Sequence, residues 1–169
     1  APRLSAWQRN FSQNKEPFRL GGNSASTICA DIDTDGQMDL LTTEITHQDV
    51  GPSSDQSEIL YNTEDDQIKF ERPGREATGL TRPRNVEPWN EGDQTAVVFD
   101  FDNDARPDIY IGDTDYPGTR GRLWHQTKDG TFEYVKPENG IDQKASHGSV
   151  VADFDRDGDL DLVAGHGDI

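Results

Sequence analysis

Sulfur and apolar residues are scarce in this sequence, and each shortage excludes a class of protein. One cysteine, Cys29, among 169 residues excludes an internal disulfide framework, and its neighbours Ile28 and Ala30 predict a small buried strand residue. Hydrophobic residues make up 31% of the chain and form no apolar run long enough to span a membrane. Such a sparse core predicts that bound metal or partner contacts supplement the stability of the fold.

Basic residues are also few, because 16 Lys and Arg stand against 33 Asp and Glu, for a formal net charge of -17. A surface this acidic repels nucleic-acid phosphates and anionic lipids, and it attracts divalent cations. Many of the acids fall in three short clusters, which argues against a disordered acidic tail. The sequence therefore predicts no nucleic-acid partner and indicates cation binding at the clusters.

Three ten-residue segments repeat one pattern. They begin at Asp31, Asp100 and Asp153 and read DIDTDGQMDL, DFDNDARPDI and DFDRDGDLDL. Each segment has Asp at positions 1, 3, 5 and 9 and an aliphatic residue at position 10. Alternating carboxylates in a tight turn, with a backbone carbonyl from position 7, offer the six to eight hard oxygens that Ca²⁺ takes. The pattern predicts about three structural calcium ions.

The predicted ligands share these loop positions. They are Asp31, Asp33, Asp35, Gln37 and Asp39 in the first loop, Asp100, Asp102, Asp104, Arg106 and Asp108 in the middle loop, and Asp153, Asp155, Asp157, Asp159 and Asp161 in the third loop. Glycine at position 6 permits the turn at Gly36 and Gly158, whereas Ala105 predicts strain and a weaker middle site.

An EF-hand is excluded by the residues around the loops. It requires a bidentate Glu at position 12 and flanking helices, but position 12 is Thr42, Ile111 or Ala164. The flanks are short β-branched runs that predict strands buried on nearly both faces, and no stretch predicts an amphipathic helix. The predicted strands are 27–30, 40–43, 58–61, 68–71, 96–99, 109–112, 122–125, 131–134, 149–152 and 162–165.

Four strands per repeat is the size of a propeller blade, so the sequence predicts an all-β chain with about three blades' worth of antiparallel strands. We expect residues 1–23 to form outer strands of an incomplete blade and residues 24–92 and 93–145 to form two blades. Residues 146–169 are expected to form the inner strands of a third. Since three blades do not readily close a ring, two alternatives stay open: further blades in a longer chain, or a homodimer that completes a propeller.

At the Asp-rich segments, best seen in ADFDRDGDLDLV at residues 152–163, the chain resembles the FG-GAP/VCBS repeats of integrin-α-like β-propellers. The resemblance covers about residues 24–169. It implies a β-propeller in which calcium holds the hairpin between the two inner strands and is not catalytic. It also implies an extracellular or periplasmic location.

No catalytic constellation is found among the remaining residues. The four histidines, His47, His125, His147 and His166, show no metal-ligand spacing. His125 lies beside Trp124 on a predicted outer strand, which predicts a packing role for it. Aromatic and polar groups suited to a sugar or protein ligand are Trp89, Asp93, Tyr116, His147 and His166.

The leading functional hypothesis is a calcium-stabilised module that binds a protein or carbohydrate, as in adhesion, outside the cytoplasm. Because fold alone does not define function, two alternatives remain: a propeller-type polysaccharide lyase or hydrolase, and a structural fragment of a larger secreted protein.

Overall fold

The computed structural model describes residues 23–45, 57–63, 69–81, 92–114, 120–139, 141, 143 and 146–166. The outer strands predicted before residue 23, the predicted strand residue Ile68 and the candidate residues His47, Trp89 and Tyr116 lie outside the described residues.

Strands dominate the described part of the chain. They are β1 Asn23–Ala30, β2 Asp39–Ile45, β3 Glu58–Asn62, β4 Phe70–Glu71, β5 Asp93–Phe99, β6 Asp108–Asp113, β7 Arg122–Gln126, β8 Phe132–Val135, β9 Ser146–Ala152 and β10 Asp161–His166. Helical structure in the same ranges is limited to one turn, α1 Arg75–Thr78, and a 3-10 turn, Pro137–Asn139. No helix in these ranges is long and apolar enough to cross a membrane.

The strands form three antiparallel sheets. Strands β1 to β4 form a four-stranded sheet in chain order, here called the first blade, and β5 to β8 form the second blade in the same order. Strands β9 and β10 form a two-stranded sheet, here called the terminal hairpin. The all-β prediction with four-stranded antiparallel blades is therefore confirmed, and the described sheets do not close into a ring.

Each Asp-rich loop lies at the tip of the hairpin between the first two strands of its sheet. The pairs that close the three loops are Ala30 with Asp39, Phe99 with Asp108, and Ala152 with Asp161. In each case position 9 pairs with the residue immediately before position 1. The three loops therefore have one register.

A β-bulge lies six residues before each loop. The register shifts around Ala25 in β1, around Gln94 in β5 and around His147 in β9. Since a bulge bends a strand and re-aims the side chain that it displaces, these three residues occupy equivalent special positions. The sequence pattern did not predict them, because they share no residue type.

The core forms where the sheets pack face to face. Buried residues between the two blades are Ile32, Leu41, Ile59, Leu80, Ala96, Ile109, Ile111, Trp124 and Phe132. A second cluster, built on Phe99, Tyr110 and Leu123, packs against Val151 and Leu162 of the terminal hairpin. Strand β6 is buried along its whole length because it is covered on both faces.

Two predictions about burial were wrong. Cys29 is exposed, because residues alternate along β1 and its face of the strand has no cover among the described residues. Strand β9 is largely exposed, since the terminal hairpin has a packed blade on one side. The exposed apolar residues of the terminal hairpin and its loop are Val150, Phe154, Leu160 and Val163.

Candidate metal centre

Carboxylates build the backbone frame of each loop by accepting hydrogen bonds from its N–H groups. The position-1 Asp accepts the N–H of position 6 at 3.0 Å in the first loop, 2.8 Å in the middle loop and 3.2 Å in the third. The position-5 Asp accepts the N–H of position 7 at 2.8, 3.0 and 2.9 Å. Short Asp side chains favour such turns, so the repeated Asp residues define the loop geometry.

The position-9 Asp anchors each loop to its sheet. One carboxylate oxygen accepts the N–H of position 2 at 2.8, 3.0 and 2.9 Å in the three loops. In the blades the other oxygen accepts a backbone N–H from the third strand or its end, from Asn62 to Asp39 at 2.9 Å and from Gln126 to Asp108 at 2.7 Å. Both carboxyl groups are fully buried.

Burial raises the pKa of the Asp39 carboxyl above its usual value, and the N–H groups of Asn62 and Ile32 act in the opposite direction. Burial also raises the pKa of Asp108, against the lowering effect of its own N–H donors. Burial therefore disfavours the charged form of both carboxyl groups, and a bound cation would stabilise that form.

Two residues of each loop have left-handed backbone conformation. Position 4 has φ of 61° at Thr34, 60° at Asn103 and 66° at Arg156. Position 6 has φ of 92° at Gly36 and 101° at Gly158. Position 6 of the middle loop is not a glycine, and Ala105 there has φ of 65°.

The left-handed conformation costs an L-residue roughly 1–2 kcal/mol. The strain predicted for position 6 of the middle loop is present in the structure.

Three carboxylates converge in every loop. Oxygen atoms from positions 1, 3 and 9 lie within 4.8 Å of one another, and the three groups are Asp31, Asp33 and Asp39; Asp100, Asp102 and Asp108; and Asp153, Asp155 and Asp161. Of the predicted ligands, Asp35 and Asp157 lie outside these groups, while Asp104 joins a separate group with Asp102 and His125. Each convergent group of positions 1, 3 and 9 therefore draws its carboxylates from a single loop.

The donor set fits a hard divalent cation. Carboxylate oxygens at this spacing are the ligands that Ca²⁺ prefers, and the first loop has an additional feature. Asp31 Oδ1 is buried and has no hydrogen-bond partner, although buried carboxylate oxygens nearly always have one. A cation held between Asp31, Asp33 and Asp39 would satisfy this atom.

The middle loop has cationic and imidazole groups that the first loop lacks. The Arg106 guanidinium pairs with Asp104, and His125 Nδ1 lies 3.2 Å from Asp108 Oδ1 and 3.5 Å from Asp102 Oδ2. His125 also packs edge-on against Phe101 at 5.9 Å. From the sequence, only a packing role was predicted for His125. Its approach to the loop could not be predicted, because it depends on the pairing of β7 with β6.

Side-chain hydrogen bonds connect neighbouring loops. Asn103 Nδ2 donates to Asp159 Oδ1 at 2.8 Å, which links the middle loop to the third. Gln126 Nε2 donates to the Ile32 carbonyl at 2.8 Å, which links the second blade to the first loop. The middle loop is therefore in contact with the third loop, and the first loop is in contact with the second blade.

A buried ionic network lies at the opposite ends of the strands. Arg122 pairs with Asp93 and, at 2.8 Å, with Asp113, and Ser57 Oγ donates to Asp93 Oδ2 at 2.6 Å. All four residues are buried. The structure thus places Asp93, a predicted ligand contact, inside the protein. The signal in the sequence was Arg122 directly before the apolar pair Leu123 and Trp124.

Among the described residues, His147 differs from Asp93 in burial. His147 is exposed at the bulge of β9. His166 ends β10, and its side chain lies outside the described part of the chain.

The fold and the repeated loops define a class of protein, the β-propeller modules with Asp-rich hairpin loops. Residues 100–164 match the family model of the FG-GAP-like repeat. The resemblance predicted from the sequence is therefore confirmed over the middle loop, strands β6 to β8 of the second blade and most of the terminal hairpin.

The chain is also similar to cartilage acidic protein 1. It is 32% identical to the protein from Homo sapiens over 81 residues, and 31% identical to the one from Mus musculus over 81 residues. Each match covers 44% of this chain and 12% of the relative. The matched part therefore spans about an eighth of those relatives.

Proposed function

We propose that this chain is part of a calcium-stabilised β-propeller module that binds a protein or carbohydrate ligand outside the cytoplasm. The observation that carries the calcium proposal is the buried, unpartnered Asp31 Oδ1 beside Asp33 and Asp39 in the first loop. The FG-GAP-like repeat at residues 100–164 supports the same role. Under this proposal, all three loops are calcium sites, and the blades retain the predicted boundaries of residues 24–92, 93–145 and 146–169.

The loop residues would act as a structural staple. Positions 1, 3, 5 and 9 supply carboxylates, and the carbonyls of Gln37, Arg106 and Asp159 complete the proposed shell. Each loop closes the hairpin between two inner strands, so holding its carboxylates together also holds those strands in register. The ion supplies positive charge that offsets four neighbouring anions, and binding to the folded state alone stabilises that state.

Native mass spectrometry of the full chain tests this proposal, with wild type and Asp31→Asn compared in calcium and after chelation. We expect wild type to retain calcium and Asp31→Asn to retain one ion fewer. Asp129→Asn is the matched control, because Asp129 is exposed in the turn between β7 and β8. Wild type without calcium, or equal counts in Asp31→Asn and wild type, would contradict the proposal. The measured mass also distinguishes a homodimer from a monomer.

The ligand proposal rests on the end of the sheets away from the metal loops. There the bulge presents His147 to solvent, and bulges commonly aim side chains at binding sites. The test is binding of the calcium-loaded chain to a panel of glycans and extracellular proteins, with His147→Ala compared with Asp129→Asn. Loss of one interaction in His147→Ala alone supports the surface, and unchanged binding by both variants contradicts it.

A further inference from the structure

The position-7 side chain distinguishes the middle loop from the first. Gln37 Nε2 donates to Asp35 Oδ2 at 3.2 Å in the first loop. In the middle loop the Arg106 guanidinium pairs with Asp104 Oδ2, the same oxygen of the same loop position. The backbone matches too, because the N–H groups of Gln37 and Arg106 donate to the partner Oδ1 atoms at 2.8 and 3.0 Å. A neutral amide and a full positive charge therefore occupy equivalent places.

The Arg106 side chain is also held from a second direction. Its Nε donates to the backbone carbonyl of Gln126 at 2.8 Å, at the end of β7. The side chain is only 26% exposed. Since both contacts position the guanidinium, its charge remains beside Asp104 and is less screened than that of a mobile surface cation.

The position-1 carboxylate shows the same difference between the loops. Asp100 accepts the Asp104 N–H at Oδ1, 3.0 Å away, and the Ala105 N–H at Oδ2, 2.8 Å away. The equivalent Asp31 uses Oδ2 for the loop backbone and has its Oδ1 buried without a partner. The middle loop therefore satisfies from within the oxygen that the first loop leaves for a cation. The third loop does the same, because Asp153 Oδ1 accepts the Arg156 N–H at 2.6 Å, so the position-7 charge is what sets the middle loop apart.

We infer that Arg106 is a built-in counter-cation that makes the middle loop the weakest calcium site of the chain. The inference rests on the proposed calcium role and concerns the order in which the loops fill. A guanidinium a few ångströms from a divalent ion lowers the affinity about tenfold or more by charge repulsion. The first loop has no basic residue. The third loop has Arg156 at position 4, but its position 7, whose counterparts contact the position-5 Asp in the other two loops, is the acidic Asp159.

A reciprocal exchange tests the inference, with calcium alone as the probe and native mass spectrometry across a buffered calcium series as the readout. Wild type is expected to fill two sites together and the third at about tenfold higher free calcium. Arg106→Gln gives the middle loop the residue of the first and is expected to bring the third site into the range of the others. Gln37→Arg is expected to weaken one tight site by a similar factor.

Two further variants test whether the recovered calcium site lies in the middle loop and whether its weakness in wild type depends on the charge of Arg106. Adding Asp100→Asn to Arg106→Gln is expected to remove the recovered site, which locates it in the middle loop. Arg106→Lys retains the charge and is expected to leave the site weak; a recovered site there would overturn the inference. Three equal sites in wild type, or no gain in Arg106→Gln, would also overturn it. No calcium on any variant would instead refute the proposed calcium role itself.

Discussion

The first and middle loops share one backbone frame but compensate their negative charge differently. In both, a buried position-9 Asp anchors the loop and the position-1 Asp accepts the N–H of position 6. The first loop has no basic residue, whereas Arg106 and His125 contact the acids of the middle loop. The repeated Asp residues therefore define the frame, while the residues between them and on the neighbouring strand determine its electrostatics.

The largest expected effect concerns the position-9 Asp, which anchors the loop in both blades. Asp39→Ala and Asp108→Ala each leave one buried and one partly buried N–H group without its partner, and an unsatisfied buried group costs about 1–3 kcal/mol. We expect both variants to lower the free energy of unfolding by similar amounts, measured by chemical denaturation in chelator. A large loss in one variant and none in the other would show that the two frames are not equivalent.

Asp161→Ala in the terminal hairpin is the matched control for that pair. Its carboxylate accepts the Phe154 N–H at 2.9 Å, but both groups are partly or fully exposed. Water can replace the lost partner, so we expect a loss of about 1 kcal/mol or less. A loss as large as that of Asp108→Ala would indicate that the hairpin is covered in solution.

The repeated spacing of Asp and the β-branched flanks were sufficient to predict the strands around every loop. In the structure, carboxylates of positions 1, 3 and 9 converge in each loop. Neither the approach of His125 nor the burial of Asp93 followed from the sequence. Both depend on which strand lies beside which, and therefore on long-range pairing. The exposure of Cys29 was missed for a related reason, since a strand pattern predicts two faces but not which face is covered.

Substitutions at position 6 are expected to change stability by smaller amounts, with opposite signs in the first and middle loops. Gly36→Ala is expected to destabilise the chain by about 1 kcal/mol, because φ is 92° and an L-side chain disfavours it. A Cβ at Gly36 has no atom within 4 Å, so the cost comes from the backbone alone. Ala105→Gly is expected to stabilise by up to about 1 kcal/mol, because it removes strain at φ 65°.

Thermal and chemical unfolding in chelator measure both position-6 variants. The double variant Gly36→Ala/Ala105→Gly is expected to lie near wild type, since the two expected changes are similar in size and opposite in sign. Destabilisation by Ala105→Gly would contradict the idea that the middle loop is strained at this residue.

The smallest expected effect concerns pH and the buried anions that both loops share. Burial raises the pKa of Asp39 and Asp108 above 3.8, so the folded chain without metal binds these protons more tightly than the unfolded chain. Its unfolding free energy therefore gains a contribution as pH falls from neutral through the raised pKa values toward 3.8. With calcium the sign reverses, because protons compete with the ion for the same carboxylates.

Denaturation curves over this pH range, with chelator and with calcium, measure the two slopes. Asp39→Asn removes one titrating group from the first loop and is expected to flatten the chelator profile relative to wild type. Asp108→Asn should flatten it to a similar extent, since the position-9 anchor is the same in both loops. A chelator profile of Asp39→Asn that runs parallel to wild type would show that this buried carboxyl is not under electrostatic strain.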